Sequence, residues 1–143
     1  MLGIKRLDHV CWAVASTEKQ LSLLTGLFGM KVDGRWRNEE QGYAGVSLEV
    51  PGGNASFELL EPTSDDSFIA RFLRERGPGL HHVTFEVHDI EQTAAALREY
   101  GIEPWGGVRR SHGWAETYIH PRDSGGVLFQ FYVEEEPHEH SPK

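Results

Sequence analysis

One cysteine, Cys11, occurs in the 143 residues, so an intrachain disulfide is excluded and a reducing compartment is the natural expectation. No apolar stretch approaches the ~18 residues that a membrane span needs, and the opening MLGIKRLDHV lacks the apolar run of a secretory leader. Basic residues are also scarce: 14 Lys and Arg stand against 22 Asp and Glu, leaving a formal charge of -8. Such a surface repels nucleic acid and anionic lipid, so neither is expected as a partner. The length suffices for one compact core and not for two independent ones. These absences leave a cytoplasmic protein whose partner is a small molecule.

What the chain does contain is a repetition. LDHVCWAV, Leu7 to Val14, returns as LHHVTFEV, Leu80 to Val87, and the echo continues downstream. Phe28-Gly29-Met30 reappears as Tyr100-Gly101-Ile102, and Phe57-Glu58-Leu59-Leu60 as Phe129-Gln130-Phe131-Tyr132. A supersecondary unit of roughly 70 residues has been used twice.

Each copy reads as β-α-β-β-β. In the first, alternation over 6–14 predicts a strand. Ser16 or Thr17 caps a helix whose stripe is Leu21, Leu24, Leu27 and Phe28, closed by Gly29. Strands follow near 30–37, 43–50 and 54–61, the last two joined by the turn Pro51-Gly52-Gly53-Asn54. The second copy predicts strands near 79–88, 102–110, 114–120 and 126–133, with a helix opening at Asp89 in capping-box spacing to Gln92. Between them, Phe68, Ile69, Phe72 and Leu73 mark an amphipathic linker helix. The expected organisation is one domain over 1–135: module one 1–63, linker helix 64–77, module two 78–135, then a disordered acidic tail over 136–143. His138 and His140 in that tail read as solvated coil.

Strand parity then places the polar residues of the repeat. His9 shares a face with Cys11 and Ala13, and His82 with Thr84 and Glu86, both opposite the apolar positions expected under the helices. Glu58 and Gln130 are likewise opposite Phe57, Leu59, Phe129 and Phe131. Two histidines, a carboxylate and an amide oxygen on a helix-free face suit a divalent metal site: Co, Mn, Ni, Zn or Fe. Burying Glu58 there without a cation would cost several kcal/mol.

At these residues the chain resembles the vicinal oxygen chelate (glyoxalase/bleomycin-resistance) superfamily, and within it the methylmalonyl-CoA epimerase family. The resemblance is carried by Leu7-Asp8-His9-Val10, Phe57-Glu58-Leu59-Leu60-Glu61-Pro62 and the linker Asp66-Ser67-Phe68-Ile69-Ala70-Arg71-Phe72-Leu73. It continues through Pro78-Gly79-Leu80-His81-His82, His120-Pro121 and Gly125-Gly126-Val127-Leu128. It implies an α+β fold: two βαβββ modules forming a curved, cupped mixed sheet with helices on the outer face. It further implies metal ligands at His9, Glu58, His82 and Gln130, a homodimer, and an anionic small-molecule substrate such as a CoA thioester.

The implied activity is a metal-dependent epimerase or isomerase acting on an acyl-CoA such as methylmalonyl-CoA through a metal-stabilised enolate. Proton removal and return need two acid/base groups. Here the chain departs from the family, since Gly45 and Gln130 stand where glutamates often serve. The candidate substitutes are Glu58, Glu49 and Glu86, with Glu116 and Tyr118 on a strand whose register the sequence leaves open. Arg109, Arg110, Arg35 and Arg37 could meet a phosphate or serve solubility. Trp36, Trp105 and Trp114 could line a broader cavity or cover core edges. Two alternatives stay open: a glyoxalase-type lyase or Fe(II) dioxygenase of the same fold, and a non-catalytic small-molecule binding protein.

Overall fold

The computed structural model describes residues 1–135, so the tail over 136–143, with His138 and His140, lies outside the described residues. Eight β-strands, three α-helices and a short 3-10 turn are present among those residues, and the class is α+β. Their order is β1 (Ile4–Ala13), α1 (Thr17–Gly26), β2 (Lys31–Asn38), β3 (Tyr43–Glu49), β4 (Ser56–Pro62) and α2 (Phe68–Arg76). Then come β5 (Gly79–Val87), α3 (Ile90–Tyr100), β6 (Trp105–Ser111), β7 (Trp114–Ile119), the 3-10 turn Pro121–Asp123, and β8 (Leu128–Glu134). The βαβββ order is thus spelled twice, with α2 between the repeats.

The chain divides into two compact units, Asp8–His82 and Met1–Leu7 with the chain from Val83 onward. The cut falls inside β1 and β5 rather than in the linker. Residues 1–7 join the second unit because its helix and the residue before the helix cap hold them: the Thr93 hydroxyl donates to the Leu2 carbonyl at 2.6 Å and His88 N–H to the Gly3 carbonyl at 3.0 Å.

In the unit Asp8–His82 the strands run β2-β3-β4-β1, antiparallel except for the parallel β4/β1 pair. Val14, Leu24, Met30, Val46, Leu48 and Leu59 form the core beneath α1. Period-2 alternation sends Leu60, Cys11 and Ala13 to the opposite face. That face is not free of helices: Ile69, Phe72 and Leu73 of α2 pack on it. The expectation of a helix-free face fails here because the linker helix carries its own apolar stripe and must bury it. Leu27 and Phe28 also depart from the expected stripe. Helix α1 ends at Gly26, and the two side chains are 77% and 51% exposed.

In the other unit the order is β5-β8-β7-β6. Val87, Ile90, Ala115 and Phe131 form its core, with Phe85, Phe129 and Leu2 packed against it. Helix α3 starts at Asp89, whose carboxylate accepts from the N–H groups of Glu91 at 2.9 Å and Gln92 at 3.3 Å. The reciprocal arm of the capping box is not made, because the Gln92 amide donates to the Met1 carbonyl instead. Gly101 then closes the helix in the left-handed conformation at φ 107°, a geometry that favours glycine.

Candidate metal and acid/base site

Four side chains of the unit Asp8–His82 form one string. Asp8 Oδ2 lies 2.7 Å from His9 Nδ1, His9 Nε2 lies 3.2 Å from His82 Nε2, and His82 Nδ1 lies 2.9 Å from His81 Nδ1. Ring nitrogens alternate as donor and acceptor in a neutral string. With the Asp8 carboxylate accepting from His9 Nδ1–H, His82 donates through Nε2 and receives at Nδ1 from His81. The rings of His9 and His82 meet edge to face at 5.3 Å, and His81 sits against Phe72 at 5.0 Å and Phe68 at 5.6 Å. Burial, aided by the charges of His81 and His9, pushes the His82 imidazole down to about 3. Burial and the Arg76 charge push His81 down to about 4. Both rings are therefore neutral at pH 7, the form in which an imidazole ligates a metal.

The spacing fits a cation. Nitrogens bound side by side at about 2.0–2.1 Å from one ion are roughly 3.3 Å apart, close to the separation of the two Nε2 atoms. The other nitrogen of His9 is held by Asp8, the carboxylate–histidine arrangement that orients metal-ligating imidazoles.

Glu58 is placed differently from His82. Its Oε2 is 3.4 Å from His9 Nδ1, on the Asp8 side of the ring. Burial raises its pKa, partly offset by His9, while Asp8 and Asp33 push it further up. Among the described residues, the cluster of ligand-type atoms all within 4.8 Å of one another is Cys11, His81 and His82, without His9 or Glu58.

Gln130 lies in the other unit, within a network of its own. The Thr84 hydroxyl donates to its Oε1 at 2.7 Å, and its Nε2 donates to Glu116 Oε1 at 3.1 Å and to the Tyr118 hydroxyl at 3.3 Å. The Gln130 carbonyl thus keeps a second lone pair. Glu116 also accepts from Trp114 Nε1 at 2.7 Å and from the Tyr118 hydroxyl at 2.9 Å. Burial and the adjacent Glu116 carboxylate raise the Tyr118 pKa. The register left open by the sequence is settled: Tyr118 pairs with Gln130, and Glu116 with Tyr132.

The other two carboxylates named from the sequence are positioned less favourably for proton transfer. Glu86 is clamped by Arg6 at 2.7 Å and Lys5 at 3.6 Å. Glu49 is exposed, one wall of an open cleft of about 490 Å³ with Lys31 and the turn Pro51–Asn54. Of the arginines, Arg110 pairs with Glu91 and Glu135, and Arg37 with Glu39.

Gly45 has a specific neighbour. It pairs with Trp36 across β2/β3, and a Cβ built on it would fall 2.3 Å from two carbons of the Trp36 indole. A bulge between Val32 and Gly34 shifts the register of β2 and turns Trp36 onto the face of Gly45 and Ser47. Ser47 pairs with Glu58, so the indole lies on the same face as that carboxylate. Trp114 stacks on Tyr132 at 4.3 Å, and Trp105 meets His120 edge-on at 4.5 Å.

Sequence reasoning passed over Asp8 and His81 as site residues. Alternation sets each on the face opposite its neighbouring histidine, yet in both cases the two side chains touch. The signal available was their place beside each repeated histidine.

The sequence signature of the Glyoxalase/Bleomycin resistance protein/Dioxygenase superfamily matches residues 8–118. Mitochondrial methylmalonyl-CoA epimerase of Bos taurus is 34% identical over 131 residues, 90% of this chain and 74% of that protein. The crystal structure of methylmalonyl-CoA epimerase from Mycobacterium tuberculosis superposes with a TM-score of 0.79 at 32% identity, covering 94% of this chain and 91% of that one. A Streptomyces coelicolor methylmalonyl-CoA epimerase in complex with 2-nitronate-propionyl-CoA gives 0.76 at 29% identity, covering 93% and 99%. No helix among the described residues is long and apolar enough to cross a membrane. The chain therefore belongs to the glyoxalase/bleomycin resistance/dioxygenase superfamily, in the branch that contains the methylmalonyl-CoA epimerases.

Proposed function

We propose that the protein is a divalent-metal-dependent epimerase of a malonyl-type acyl-CoA, moving the proton on the carbon between two carbonyls. His9 and His82 would hold the cation, and Glu58 lies at the Nδ1 edge of His9. When bound, the cation supplies the electrophile that lowers the barrier to removing that proton. Glu58 is the acid/base: burial raises its pKa above the ordinary carboxylate value, the direction that makes a carboxylate a stronger base. Asp8 orients His9, and His81 orients His82. The observation that carries the reading is the pair of Nε2 atoms 3.2 Å apart, with His82 kept neutral and the half-buried Glu58 carboxylate 3.4 Å from His9 Nδ1. The names and bound ligand of the related proteins support the CoA thioester. Exposed Leu23, Leu27 and Phe28 support a homodimer, which light scattering checks. The proposed location is cytoplasmic.

The test combines metal analysis with incubation of methylmalonyl-CoA in deuterated water. Stoichiometric metal and deuterium at the α-carbon, both lost in His82→Ala, are expected. A second reading is favoured by Trp36 on Gly45, which leaves no acid group at that position. It is a lyase or an Fe(II) dioxygenase using His9, His82 and Glu58 as two imidazoles and one carboxylate. Bound iron with oxygen uptake and no exchange selects it; neither metal nor exchange selects a binding protein.

A further inference from the structure

We infer that Cys11, His81 and His82 form a second cation site, selective for thiophilic divalent ions such as Zn²⁺ or Cd²⁺, which competes with the His9 side for His82. Three ligand-type atoms, one from each residue, lie within 4.8 Å of one another. Two ring nitrogens, His81 Nδ1 and His82 Nδ1, are already 2.9 Å apart, near the spacing of neighbouring ligands on one ion. Cys11 is fully buried among Ala13, Leu60 and Ile69, and the proposed catalysis makes no use of it.

Ligand softness separates this site from the first. Sulfur with two imidazoles selects Zn²⁺ or Cd²⁺, whereas the His9 side has Glu58 near it and suits harder ions. On binding, the thiol S–H bond breaks, the sulfur–metal bond forms, and the proton leaves to the buffer. Competition follows from the ring itself. A neutral imidazole has one in-plane lone pair, so a cation on His82 Nδ1 leaves Nε2 protonated and facing His9. The two sites therefore share His82 but are not filled together by its neutral form. The second site does not rest on the epimerase reading, because metal binding is read without turnover; its competition for His82 rests on the cation proposed between His9 and His82.

The experiment is a Cd²⁺ titration of the full chain after treatment with chelator, following the thiolate-to-cadmium charge-transfer absorption, with ¹⁵N NMR of the His82 ring. Wild type should saturate the band at one equivalent, with the NMR shift of a metal-bound Nδ1. Cys11→Ser, Cys11→Ala and His81→Ala should lose the band, each checked for native circular dichroism, while His9→Ala and Glu58→Ala keep it. No band in wild type overturns the inference. So does a band that survives His81→Ala, or one lost in His9→Ala, since either places the ion elsewhere.

Discussion

Taking the metal-free protein from pH 7 to pH 5 should remove about 2 kcal/mol of stability through His82 alone. Burial pushes this imidazole from 6.5 down to about 3 in the folded chain. A depressed folded pKa means that the stabilisation is complete above the unfolded value and is lost as the pH falls towards the folded one. At pH 5 the unfolded ring is almost fully protonated and the folded ring is neutral, so unfolding takes up close to one proton. The slope is then about 1.4 kcal/mol per pH unit, and integration from 6.5 to 5 gives about 2 kcal/mol. His81, pushed down to about 4, acts in the same direction. Glu58 acts in the opposite one: its pKa is raised by burial, so its contribution is present in acid and lost as the pH rises through the folded value. The assay is urea denaturation at both pH values for wild type and His82→Gln, in the presence of chelator. Wild type should lose about 2 kcal/mol more than the variant between pH 7 and 5. Equal losses would refute a half-buried His82 held neutral by desolvation.

Gly45→Ala should destabilise by about 1–3 kcal/mol through overpacking against Trp36. That cost should largely vanish in a Trp36→Ala background, as a double-mutant cycle in urea would show. Gln130→Glu removes the donors to Glu116 and Tyr118 and sets two carboxylates together. It should lose about 1–3 kcal/mol at pH 7 and recover part of this at pH 5, when one carboxylate takes up a proton. Comparing thermal melts at the two pH values checks it. Asp89→Ala should cost about 1 kcal/mol by uncapping α3, with bound metal unchanged by elemental analysis.

Much of the architecture is legible in the residues because two periods dominate it. Alternation correctly separates Phe57 and Leu59 from Glu58 and Leu60, and the capping signal correctly opens α3 at Asp89. The packing of α2 across Cys11 and Leu60 is not legible, since a linker's apolar stripe does not say which face it will cover. The site is legible in residue type and only partly in geometry. The repeat nominates His9 and His82, and their Nε2 atoms do meet. It does not show that Glu58 approaches Nδ1 instead, or that Asp8 and His81 join the string. Contacts between residues adjacent in a strand break the parity rule and depend on local twist. Trp36 escapes for a related reason: one bulge in β2 decides its face, and nothing in the hydrophobic pattern marks that bulge.

The indole seated on Gly45 also imposes an order on change. A lineage that acquired an acid at position 45 while Trp36 remained would pass through a strained intermediate, whereas one that first trimmed Trp36 would not. The same two substitutions are thus tolerated in one sequence and penalised in the other. Attempts to graft proton-transfer chemistry onto this strand by single replacements will therefore select against themselves until the neighbouring strand has been altered.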